Sequence, residues 1–183
     1  MDKRKQPNRL VAILLSLCMV TALTPVDGLT AQAAEGEGTE GDPYQITTQE
    51  ELAAITGSNH YILMNDIELT GSWTSLAEFS GTLDGNNKTI TGLSIQSDSD
   101  SVGFFEKIGS GGVVKDLTLY GTVNSTYRYN AGRVGGFAGI NDGTISGCTF
   151  YGSVSQMQGD NQAVGGIAGL NGDDEDTAQI SNC

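Results

Sequence analysis

Residues 134–141 read VGGFAGIN, and residues 164–171 read VGGIAGLN. The two exchanges between them, Phe137 for Ile167 and Ile140 for Leu170, keep an apolar side chain in place. A related VGFF begins at Val102, so the leading valine recurs at intervals of 32 and 30 residues. A second register runs through TITGLSI (89–95), VVKDLTLYGTV (113–123), TISGCTFYGSV (144–154) and QISNC (179–183). It predicts that Leu93, Leu117, Cys148 and Cys183 share one slot. Between Ile145 and Ile180 the interval stretches to 35 residues, and the extra length sits wholly between Asn171 and Ile180. A repeat architecture absorbs length in that way, by an insertion confined to one loop.

The repeat is read as β. Within CTFYGSV (148–154), Cys148, Phe150 and Val154 share one parity and point inward, while Thr149, Tyr151 and Ser153 point outward. A unit of about thirty residues cannot bury its own apolar face, so successive units stack and share a core. Stacking places like on like: Leu119 under Phe150, Val123 under Val154, Tyr120 under Tyr151. The expected fold is all-β, a β-solenoid. The glycines mark corners and close approaches where a side chain has no room. A glycine-rich run also invites thoughts of a phosphate cradle, but no helix follows it and no lysine accompanies it.

The one helix cue lies in DPYQITTQEELAAI (42–55). Thr48 as N-cap with Glu51 three residues on forms a capping box, and Leu52 and Ile55 supply an apolar stripe. This short helix and a strand over YILMNDIELT (61–70) are expected to cap one end of the stack, since an open end exposes unpaired backbone. Residues 34–41, AEGEGTEG, read as a flexible acidic leader.

The first 33 residues read as a signal peptide. Lys3, Arg4, Lys5 and Arg9 precede the uncharged run 10–23, and Ala31 and Ala33 offer small residues for cleavage after Ala33. The run has 14 residues, short of the ~20 that cross a bilayer as a helix. Membrane contact is therefore expected only through the transient signal. Four of the nine basic residues and two of the 22 acids lie before the cleavage site, which leaves five against twenty and a net charge of −15. That balance excludes the basic footprint of a nucleic-acid binder.

The segments VGGFAGINDGTISGCTFYGSV (134–154) and VGGIAGLNGDDEDTAQISNC (164–183) resemble the GLUG motif, with Phe137 and Ile167 in place of its leucine. The upstream YILMNDIELT, FSGTLDGNNKTITGLSI (79–95) and VGFFEKI (102–108) are similar to the segment that precedes GLUG repeats in large exported bacterial proteins. The resemblance implies a right-handed parallel β-helix on a secreted or surface protein, often Gram-positive. It implies kinship with adhesin passenger regions and with the N-terminal portions of IgA-type metallopeptidases, whose chemistry resides in a separate domain. The organisation expected is a signal peptide (1–33), a leader (34–41), a cap with the first coils (42–101) and GLUG-type repeats (102–183). Because the last repeat stops partway, the chain is expected to continue into further repeats or domains.

Candidate sites are few. Asp84, Asp116 and Asp142 are the carboxylates a glycan-cleaving β-helix would use, but Asp84-Gly85-Asn86 and Asp142-Gly143 have turn chemistry. His60 is the single histidine, with no nucleophile to serve. Asp173, Asp174, Glu175 and Asp176 offer oxygen ligands for Ca²⁺. They lack the alternating spacing of an EF-hand loop, and a solvated acid run is the plainer reading. Tyr120 and Tyr151 are expected to stack as a ladder. With Tyr127, Arg128 and Tyr129 they also offer a shallow contact surface for a glycan or a host or cell-surface protein. Cys148 and Cys183 are read as small buried hydrophobes rather than a disulfide. No cofactor is expected. The function expected is a non-enzymatic adhesive or spacer segment of an exported protein. The alternative is the accessory N-terminal region of a large secreted hydrolase such as a metallopeptidase.

Overall fold

A computed structural model describes residues 34–183 except 130, 158 and 173–177. The signal-peptide reading of residues 1–33 and the acid cluster Asp173 to Asp176 therefore lie outside the described residues. The chain opens with β1 (Tyr44–Ile46), helix α1 (Gln49–Ala53), β2 (His60–Leu63), β3 (Ile67–Glu68) and the long β4 (Thr82–Ser97). A recurring set follows: β5 (Ser101–Val102), β6 (Phe105–Ile108) and β7 (Val113–Ser125). The next set is β8 (Arg133–Gly135), β9 (Ala138–Asn141), β10 (Thr144–Ser146) and β11 (Thr149–Gln156). The last is β12 (Ala163–Gly165), β13 (Ala168–Asn171) and β14 (Gln179–Ser181).

The fold is all-β apart from α1, and the named strands pair in parallel within three sheets. Each copy of the repeat contributes to all three. One sheet holds β5, β8 and β12, with Val102 opposite Val134 and Val134 opposite Val164. The second holds β6, β9 and β13, and the third runs β1-β2-β4-β7-β10-β14, with β11 also on β7 and β3 on β4. Like therefore lies on like: Phe150 pairs with Leu119, Tyr151 with Tyr120 and Val154 with Val123. Of the residues given an alternating parity, Cys148 is buried, and Phe150 and Val154 are half-buried against the core. Tyr151 and Ser153 are exposed, and Thr149 is half-buried. The alternation is sharper in β7. Leu119 and Val123 are fully buried, while Tyr120, Thr122 and Asn124 are exposed.

Glycine is required where two copies come closest. A Cβ on Gly135 would stand 2.7 Å from Cα of Ala168, and one on Gly103 would stand 2.7 Å from Cα of Ala138. No side chain fits such a gap, which is why the valine of each copy is followed by glycine.

At the N-terminal end the core is aromatic. Trp73 stacks on Phe104 with ring centroids 5.5 Å apart, and Phe79 stacks on Phe105 at 5.0 Å. Helix α1 has the expected cap: Glu51 N–H donates to Thr48 Oγ1, and Thr48 N–H donates to Glu51 Oε2. Burial pushes the Glu51 carboxyl up, but donors from Thr47 and Thr48 outweigh it and hold the group below the usual glutamate value. Leu52 anchors the helix in the core.

Four sequence expectations are corrected. YILMNDIELT is two strands, β2 and β3, because the chain leaves the sheet at Met64–Asp66 before pairing again with β4. Leu93 does not share the slot of Leu117; it pairs with Gly121, and Lys88 faces Leu117. The cause is extra residues in β4, accommodated where Asn86, Asn87 and Gly92 take positive φ of 50°, 57° and 77°. Residues 34–41 fold back on the body: Glu35 bridges Gln45, and Gly38 O accepts from His60 N–H. Cys183 is exposed, whereas Cys148 is buried as expected, and both thiols are free.

Burial falls off in the final copy. Val134 and Ile145 are 0% exposed, while their partners Val164 and Ile180 are 51% and 39% exposed. The same residue type in the same slot is core in one copy and surface in the next.

Candidate functional site

The outward side of β4, β7 and β11 forms a regular surface. Register places its side chains in rows across the strands: Thr89, Thr118 and Thr149; Ser94, Thr122 and Ser153; Gln96, Asn124 and Ser155. Tyr120 and Tyr151 form a row of their own, with ring centroids 4.7 Å apart and planes 19° from parallel. They are 42% and 54% exposed. The ladder predicted from the sequence is therefore present, and it leaves much of both rings open to solvent. These rows carry no charge, although the chain as a whole has formal charge −13. Charged groups flank the rows: Asp66 Oδ1 accepts from Thr89 N–H, Glu68 pairs with Thr91, and Lys88 precedes Thr89 in β4. The Asp84–Lys115 ion pair lies nearer the N-terminal ends of β4 and β7. Within the rows, Ser155 Oγ donates to Asn124 Oδ1 at 3.2 Å.

Tyr127 and Tyr129 make a separate edge-to-face pair at 5.5 Å, past the end of β7. With Arg128, Thr126 and Asp98 they line a shallow depression of about 290 Å³. Arg128 is exposed and forms no ion pair among the described residues. The sequence grouped five residues as one contact surface. The structure resolves them into two tyrosine pairs, each with its own setting.

The three aspartates considered for catalysis each have a structural role. Asp84 binds Lys115 at 2.8 Å and accepts from Asn86 N–H at 2.8 Å. The hydrogen bond to Asp84 holds the Lys115 ammonium above the usual lysine range. Asp116 takes a φ of 51° at the corner inside β7. Asp142 follows β9, is 2% exposed and binds Lys107 Nζ at 2.7 Å. His60 lies on β2 and lines a groove of about 310 Å³ with Glu40, Asp84 and Lys115. A larger depression of about 510 Å³ lies between α1 and the Trp73 segment.

Sequence reasoning missed two buried polar features. One is the Lys107–Asp142 pair. The other is Asn141, fully buried, whose Nδ2 donates to Asn171 Oδ1 at 2.7 Å and to Gln179 O at 3.2 Å. Its Oδ1 accepts from Gly143 N–H at 3.3 Å. The Asn141–Asn171 contact was within reach of the repeat register, had it been applied to polar positions as well as apolar ones. Burial pushes the Cys148 thiol up to about 12. No cluster of three or more His, Cys, Asp or Glu side chains suited to a metal occurs among the described residues. No helix among them is long and apolar enough to cross a membrane.

Comparison with known proteins gives two partial likenesses. The chain is 30% identical over 150 residues to a protein of Evansella cellulosilytica whose name describes a Gly-rich membrane protein. That match covers 70% of this chain and 17% of the relative. It is 35% identical over 95 residues to halomucin of Haloquadratum walsbyi, covering 51% of this chain and 1% of that protein. The chain thus spans only a small part of the curated relatives it matches. No family model matches it. No solved structure matches it.

Proposed function

We propose that this chain is a GLUG-type right-handed parallel β-helix segment of an exported bacterial surface protein, with an adhesive or spacer role and no catalysis of its own. One observation carries the reading. Successive copies of the repeat pair in parallel and in register, each giving a strand to every sheet. An architecture of that kind grows by adding copies and needs no active site to be useful. The aspartates are committed to a lysine or a corner, which leaves no free carboxylate pair for glycoside cleavage among them. The relatives' names, one a membrane protein and one halomucin, support a place at the cell surface. Residues 1–33 supply the export signal in this reading.

The test is surface labelling of intact producing cells, with N-terminal sequencing of the labelled protein. The reading expects labelled material that begins at Ala34. Recovery from the cytoplasm alone, with residues 1–33 still attached, would overturn it.

A further inference from the structure

We infer that the four uncharged rows on β4, β7 and β11, centred on the Tyr120–Tyr151 pair, form a binding surface for a neutral polysaccharide. The inference deepens the adhesive reading proposed above and rests on it.

The starting point is charge. Acidic residues are spread along the mature sequence, yet the four rows on this side hold only hydroxyl, amide and tyrosine side chains. A surface whose sole task was solubility would carry its share of the acids. Without fixed charge it has no means to select a polyanion, and the net negative charge around it repels one.

The second element is aromatic. Tyr120 and Tyr151 are stacked on each other, which fixes their orientation, and both rings stay open to solvent. Exposed rings present apolar faces beside a phenolic hydroxyl, a combination suited to the C–H faces and hydroxyls of a sugar ring. The stack costs the protein little further ordering on binding, because the rings are already held.

The third element is hydrogen bonding. The hydroxyls of Thr122 and Ser153 have no partner within the protein among the described residues, and they lie in one row beside the tyrosines. Each is both donor and acceptor, matching a ligand whose own groups are hydroxyls. Protein partners favour a different composition: their contact centres are enriched in Trp, Tyr and Arg, with Ser and Thr under-represented. The serine and threonine rows thus favour a glycan over a protein.

Affinity electrophoresis tests this, using the full exported chain in gels containing dextran, a β-1,3-glucan, mannan or galactan, with alginate as the polyanion. At least one neutral polymer should retard the wild-type chain. The double variant Tyr120→Ala/Tyr151→Ala should lose that retardation by tenfold or more in apparent affinity, and Thr122→Glu should weaken it while keeping the wild-type melting temperature. If the double variant does not fold, Thr122→Glu decides alone. Retardation by none of the four neutral gels, retardation by alginate only, or unchanged retardation of a folded variant overturns the inference. Surface labelling distinguishes the two failures: a chain displayed on cells that binds no neutral polymer keeps the surface reading and loses the binding surface.

Discussion

Ile145 and Ile180 occupy the same slot of the repeat and are partners in the β10–β14 register. Their surroundings differ. Ile145 lies between Val114 and Ile180 with no exposed surface, whereas Ile180 is 39% exposed. Truncating a fully buried isoleucine to alanine removes its burial and leaves a cavity, at a cost of about 2–5 kcal/mol. At Ile180 no closed cavity forms and part of the side chain already contacts water, so the cost stays below about 1.5 kcal/mol. In a chain of this size 1 kcal/mol moves the midpoint by roughly 2–4 °C. Ile145→Ala should therefore lower the melting temperature by at least about 4–8 °C, and Ile180→Ala by at most about 3–6 °C and by less than Ile145→Ala. Thermal unfolding followed by far-UV circular dichroism, with both variants measured beside the wild type, gives the comparison. Equal losses, or a larger loss at Ile180, would refute the stacking that buries one and uncovers the other.

In the chain that begins at Ala34, without Cys18, the thiols of Cys148 and Cys183 should separate kinetically. Burial raises Cys148, so a disulfide-exchange reagent at pH 8 should titrate one thiol in the native protein, at Cys183, and the second only in denaturant. A thiol whose folded value lies above its unfolded one stabilises the fold below the unfolded value. Stability should therefore fall as pH rises from about 9 towards about 12, and Cys148→Ala should flatten that part of the profile. Lys107→Met removes the 2.7 Å ion pair to the Asp142 carboxylate and should cost about 1–3 kcal/mol in urea unfolding, recovered in part by Asp142→Asn on the same background. Thr48→Ala removes the helix cap, for a loss of about 1 kcal/mol. Glu51, held low by its hydrogen bonds, adds stability above its unfolded value that disappears as pH falls through the folded one; Glu51→Gln should remove that acid-side dependence.

The period of the fold was legible because stacking forces like onto like, and the eye finds Val134 and Val164, or Tyr120 and Tyr151, without coordinates. The slip at Leu93 was not. The extra residues of β4 sit at Asn86, Asn87 and Gly92, and asparagine or glycine at positive φ can be a corner or a bulge with equal ease. The difference in burial between Ile145 and Ile180 was not legible either, because the two are the same residue type in the same slot. The uncharged surface required knowing which rows share a side, and the Lys107–Asp142 pair joins neighbouring copies near the end of one strand. Each becomes visible only once the register is known.

The central claim is that copies about thirty residues apart lie in register on one another. A cysteine pair at Thr122 and Ser153, in a Cys183→Ser background, tests it most directly. Those residues are partners across β7 and β11, and parallel neighbours stand about 4.8 Å apart, within the Cα range of a disulfide. The account predicts an intramolecular bridge under mild oxidation for Thr122→Cys/Ser153→Cys and little for the offset pair Thr122→Cys/Gln156→Cys. Bridging of the offset pair in preference to the in-register pair would contradict it.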